Sequence, residues 1–248
     1  LYADGSMGAR SAWFFDPYAD APGLTGLALH PEAELRRRIA AADAAGLTVA
    51  CHAIGDRAAA ATLDAFAAAA AQNPPRPRRH RLEHAQALRD EDLPRLRALG
   101  VVASVQPSHL LDDLPWLERR LGAARAPRLH RLRSLFTAGA AVAFGTDWYV
   151  APLDPRRTLY AAVTRARPGG GAPFVPAEAI TLAAALSAAT AGSAYAEGRE
   201  RDKGRLAPGF LADLAVFARD LFALPPAEWL EVPVVLTVAG GRIVHRAG

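Results

Sequence analysis

Residues 45–53 read AGLTVACHA: a glycine at Gly46, an apolar run, then Cys51 and His52, with Gly55 just beyond. A short apolar run bounded by glycines predicts a buried strand. Upstream, residues 31–45 (PEAELRRRIAAADAA) predict a helix with Pro31 near its start, where the missing N–H has no helical partner to lose. Downstream, residues 55–75 (GDRAAAATLDAFAAAAAQNPP) predict another, with Asp56 placed to cap it and Pro74 and Pro75 to end it. Helix, strand and helix in this order predict βαβ units on a parallel sheet, an α/β fold.

The same alternation continues outward. Strands are predicted at 79–85 (RHRLEHA), 101–107 (VVASVQP) and 141–147 (AVAFGTD), with a helix at 89–100 and an irregular, partly helical insertion from Ser108 to Gly139. The four strands end near His52, His84, Gln106 and Asp147, and the opening LYAD reads as the end of a fifth. His52 and His84 lie one βα unit of roughly 30 residues apart, the spacing of a barrel in which eight units take about 250 residues. Polar residues recurring where successive parallel strands end mark the face on which barrel enzymes place their chemistry. Beyond Asp147, helices are predicted through 154–166 and 176–198. Short β segments follow in 203–220 and 233–248, the last a hairpin about Gly240 and Gly241.

Composition narrows the function classes. The chain has 248 residues, 51% hydrophobic and 22% charged, enough to bury a sizeable core. Its net charge is +4, yet the basic residues are not gathered on one element, and the run PPRPRRHRLEH at 74–84 is broken by prolines and reads as a solvated loop. No nucleic-acid partner is expected. The single cysteine, Cys51, excludes an intrachain disulfide and every multi-cysteine zinc pattern, and its apolar surroundings predict a small core residue. No run reaches the roughly 18–20 apolar residues of a membrane helix, so no membrane partner is expected. The expected location is cytoplasmic.

Among seven histidines, His30, His80, His130 and His245 read as structural. His52 and His84 differ, because each ends an apolar run just before a turn. Two neutral imidazoles at neighbouring strand ends suit a zinc ion, with nitrogen–metal distances of about 2.0–2.1 Å. Asp147 either caps a turn or binds metal and takes a proton from a metal-activated water. Gln106 and His109 lie where either could orient a substrate carbonyl. No GxSxG and no phosphate-cradling loop occurs, and RPGGGAP at 167–173 reads as a flexible turn.

The ordered set DGSMGAR (4–10), HAIGDRA (52–58), HRLEHAQ (80–86), VVASVQPSHL (101–110), AFGTDW (143–148), KGRLAPGFLADLAVF (203–217) and TVAGGRIV (237–244) resembles amidohydrolase family 3. Within it, these motifs look like those of the N-substituted formamide deformylase-like branch. The resemblance spans nearly the whole chain. It implies metal-dependent hydrolysis of a C–N bond of amide, non-peptide type through a metal-activated water. The implied fold is the C-terminal part of a distorted (β/α)8 TIM-like barrel over 1–202, plus the C-terminal strands of a small composite β-sandwich over 203–248.

By the same resemblance, His52 and His84 are the metal histidines of the fifth and sixth strands, and Asp147 is the eighth-strand aspartate that activates the water and later protonates the leaving nitrogen. Gln106, His109, Trp148 and Asp4 are the expected substrate-binding residues. The cofactor is a divalent metal, zinc by preference, as one or two ions. The family's first-strand HxH pair is absent, and its fourth-strand lysine, which can be carbamylated, would fall immediately before Leu1. The expectation is therefore a fragment of a longer enzyme, with a small-molecule substrate. Homo-oligomerisation or pairing with an N-terminal half is the matching alternative, the chain alone being catalytically incomplete.

Overall fold

Four short strands, β1 (Ala50–Ala53), β2 (Arg81–His84), β3 (Val102–Val105) and β4 (Ala141–Phe144), form one sheet in that order in the computed structural model, which describes residues 1–248. β1, β2 and β3 pair in parallel. The opening residues extend the sheet: Tyr2 bridges His52 in parallel, His52 donates its N–H to Leu1 O, and Ala3 donates to His52 O, each at 2.9 Å. The predicted α/β fold with a parallel sheet is what forms.

Register explains the inner packing. Cys51, Leu82 and Ala103 are direct neighbours across the three parallel strands, and none of them reaches solvent. Helix α1 (Glu32–Ala44) packs on α2 (Asp56–Gln72), and α2 packs on β1. The alanines of α2 let it approach the strand closely, so that Thr62 Oγ1 lies 3.6 Å from Cys51 Sγ. Leu63 and Phe66 fill the remaining space, each burial contributing about 1.5–3 kcal/mol. Burial pushes the Cys51 thiol pKa upward, in keeping with a core role.

Three expectations are corrected here. Gly55, not Asp56, is the N-cap of α2; Asp56 is already helical, and its Oδ1 accepts the N–H of Phe15 at 3.0 Å. The helix expected over 89–100 shrinks to α3 (Leu93–Ala98), because Arg89 and Asp92 close a turn ahead of it. The basic run at 74–84 is not simply solvated. Asp43, at the end of α1, is fully buried and draws in Arg76, Arg78 and His80, with Arg78 forming bonds of 2.9 Å to both carboxylate oxygens.

The insertion after β3 holds α4 (His109–Asp113), α5 (Leu117–Leu121) and α6 (Leu132–Thr137). After β4 come α7 (Pro155–Thr164), capped by the Asp154 side chain, then α8 (Leu182–Ser187) and α9 (Ser193–Glu197), joined by a π-helical turn. The chain ends in an antiparallel meander of β5 (Leu214–Phe217), β6 (Val234–Ala239) and β7 (Arg242–Arg246). The expected hairpin turn is Gly240–Gly241, both left-handed (φ 56° and 77°), with Asp213 accepting the Gly240 N–H at 2.6 Å.

By packing, the chain divides into two units: Leu1–Val105 with Asp112–Val142, and Gln106–Leu111 with Ala143–Gly248. Each unit has a core, the second built partly on Leu111, Tyr160 and Ala161, with Leu230 against them. No helix is long and apolar enough to cross a membrane.

Candidate metal centre

The first unit carries Asp4, His52 and His84. Strand alternation puts His52 and Glu83 on one sheet face, and His84, the register partner of Ala53, on the other. Yet the rings of His52 and His84 are 4.5 Å apart at 70°. The backbone reconciles the two: His84 is left-handed (φ 71°), which breaks the alternation at the strand's last residue and turns the imidazole toward His52. A non-glycine residue held there costs on the order of 1–3 kcal/mol, and such outliers cluster at functional sites.

Asp4 is 1% exposed. Its Oδ2 accepts the N–H groups of Trp13 at 2.9 Å and Gly55 at 2.8 Å, and its Oδ1 accepts that of Ile54 at 3.1 Å and lies 3.0 Å from His52 Nδ1. Both oxygens of Asp4 thus face protein groups, three backbone N–H donors and the His52 ring. Tyr2, which had not stood out in the sequence, lies 5.3 Å from the His52 ring. Its signal was present: residues 2 and 4 share one face of an extended segment.

The second unit carries Gln106, His109, Asp147 and Trp148. Gln106 is buried, and its carbonyl accepts the His109 N–H at 3.0 Å, opening α4. His109 Nε2 stands 4.0 Å from Asp147 Oδ2, beyond direct hydrogen-bond length. Asp147 is also left-handed (φ 57°), and its carbonyl accepts the Val150 N–H at 2.7 Å, turning the chain after β4. Trp148, Tyr149, Val150 and Leu153 are exposed, an apolar segment directly after the aspartate.

A divalent metal suits these donors. With Nδ1 of His52 directed at a carboxylate, its Nε2 is the nitrogen left for coordination, the carboxylate–histidine arrangement common behind metal ligands. Neighbouring imidazoles are nitrogen donors of the kind that divalent metals accept. Of the other histidines, His80 and His130 are buried, and each lies beside an aspartate, Asp43 and Asp113 respectively.

The fold and these side chains define an α/β protein with histidines gathered at the ends of adjacent parallel strands. The chain belongs to the amidohydrolase family, whose profile matches residues 1–245. It is 40% identical over 245 residues to the protein LONG AFTER FAR-RED 3 of Arabidopsis thaliana, covering 98% of this chain and 42% of that protein. It is 34% identical over 248 residues to a Bacillus subtilis protein named as an amidohydrolase, YtcJ, covering 99% and 46%. Among solved structures, a metal-dependent hydrolase from Pyrococcus horikoshii superposes with a TM-score of 0.76 at 36% identity, over 85% of this chain and 42% of that one. The chain thus spans less than half the length of these relatives.

Proposed function

We propose that this chain supplies part of the catalytic centre of a metal-dependent hydrolase that cleaves a C–N bond of amide, non-peptide type in a small molecule. The observation that carries the reading is the His52–His84 pair, with rings 4.5 Å apart at the ends of neighbouring parallel strands, His84 held there by a left-handed backbone. Family membership and the metal-dependent relative of solved structure support it. In this reading the parallel sheet is the C-terminal part of a (β/α)8 barrel over 1–202. The β5–β7 meander is the share of a composite sandwich contributed by 203–248, and the enzyme works in the cytoplasm.

His52, His84 and Asp147 would hold a divalent metal, zinc by its fit to nitrogen and oxygen donors. When bound, such an ion acts as a Lewis acid and lowers the pKa of a coordinated water toward about 7. Asp147 takes the proton from the attacking water and returns it to the leaving nitrogen. Gln106 and His109 orient the substrate carbonyl, and Trp148 packs against an apolar substituent beside it.

The test is zinc content together with hydrolysis of N-acyl and N-formyl amines, in wild type and Asp147→Asn. Zinc bound at one equivalent or more, with hydrolysis lost in the variant, is the expected result. Undiminished turnover in Asp147→Asn would sink the proposed proton transfer. A second reading, that the chain works only after self-association or pairing with another segment, draws on the exposed apolar side chains of Tyr149, Val150 and Val244. A monomeric, zinc-loaded and active 248-residue chain would dispose of it.

A further inference from the structure

We propose that Asp4 is a positioning residue that fixes His52 in the Nδ1–H tautomer and so keeps the Nε2 lone pair turned outward for a metal ion. The second half of this statement rests on the metal-hydrolase reading; the first half does not.

The geometry alone dictates the tautomer. Asp4 takes three backbone N–H donors, from Trp13, Ile54 and Gly55, at 2.8–3.1 Å. A carboxylate surrounded in this way acts only as an acceptor, so its fourth contact, Oδ1 to His52 Nδ1 at 3.0 Å, is attractive only if Nδ1 carries the proton. In a neutral imidazole the other nitrogen, Nε2, then has its lone pair free of a proton. The three backbone donors come from two separate segments, the loop at Trp13 and the turn after β1. Asp4 is thus held rigidly on both sides while it holds the ring. The motif beginning DGS has a local reason as well: a Cβ at Gly5 would come within 2.3 Å of Ser11 Oγ, so the chain after Asp4 turns where only glycine fits.

Asp4→Asn separates this from a merely structural role. An asparagine still accepts N–H bonds through its oxygen, but toward His52 it presents an NH2 group, which favours the opposite tautomer, with Nε2 protonated and unable to coordinate. The readout is the ring nitrogen shifts of ¹⁵N-histidine-labelled protein without metal, at a pH where the ring is neutral, with His52 assigned by its disappearance in His52→Gln. Zinc affinity by chelator competition and melting temperature are measured alongside.

We expect wild-type His52 as Nδ1–H, and Asp4→Asn shifted to Nε2–H, with zinc affinity about 10–100-fold weaker, the range for loss of such outer partners. A wild-type His52 found as Nε2–H would overturn the inference even if Asp4→Asn failed to fold. So would an Asp4→Asn variant that keeps both the tautomer and the affinity. Unchanged zinc binding in His52→Gln would instead sink the metal reading, while the tautomer measurement still decides the role of Asp4.

Discussion

Val49 donates its backbone N–H to Nδ1 of His80 at 3.1 Å, a bond that exists only while that nitrogen is unprotonated. His80 is buried and stacked on Phe66 with ring centroids 4.8 Å apart. Burial lowers its pKa below the ordinary value of about 6.5; Asp43 opposes the shift, and Arg76 and Arg78 add to it. A folded-state pKa below the unfolded one means the unfolded chain binds more protons. The stability from this group is therefore present above about pH 6.5 and is lost as pH falls below it. Thermal melts should show a falling melting temperature from pH 7 to 5, and His80→Phe should flatten that slope while lowering stability at pH 7. An equal slope in the variant would place the titration elsewhere.

Asp43 sets a second, lower window. Burial alone would raise its carboxyl pKa, but hydrogen bonds from Arg78 and Asn73 and the charge of Arg76 hold it well below the usual carboxylate range. Its contribution is complete above about pH 4 and is lost on further acidification. Asp43→Ala leaves two arginines turned inward without their partner and should cost about 3–5 kcal/mol in urea unfolding at neutral pH. A loss below about 1 kcal/mol would mean that the arginines swing out to solvent at little cost.

His84 trades stability for direction. With φ at 71°, glycine should be favoured over alanine at this position by about 1 kcal/mol. His84→Gly is expected to unfold at higher denaturant than His84→Ala, while both lose zinc binding. Equal midpoints for the two variants would show that the left-handed backbone carries no cost.

Gly55 stands where the turn after β1 meets the opening loop. A Cβ there would approach Trp13 O to 2.0 Å, and the same residue's N–H binds Asp4. Gly55→Ala should therefore destabilise by about 1–3 kcal/mol, the range for overpacking, and weaken zinc affinity as the Asp4 cradle opens. Chemical unfolding and chelator competition check both; wild-type values for the two together would refute the close approach.

Much of the fold was legible because it is written in local pattern. The run ending at His52, the alanine-rich α2, the prolines at 74 and 75 and the paired glycines of the last hairpin all act within a few residues, where hydrophobic spacing and backbone preference suffice. The same locality placed His52, His84 and Asp147 at strand ends. It misread Asp56 as a cap, because whether its carboxylate turns to its own helix or to Phe15 depends on a loop that arrives from 41 residues away. The solvated reading of the basic run failed likewise, since its partner Asp43 is buried in another helix.

From the chain alone, then, came the elements, their order and the residue types brought to each strand end, since these follow from spacing and propensity along the backbone. Folding in three dimensions set the contacts: Asp4 beside the His52 ring, and His84 turned off its own strand face toward its neighbour. Side-chain direction and hydrogen-bond partner are settled by groups distant in sequence, through burial that leaves each polar atom few places to be satisfied.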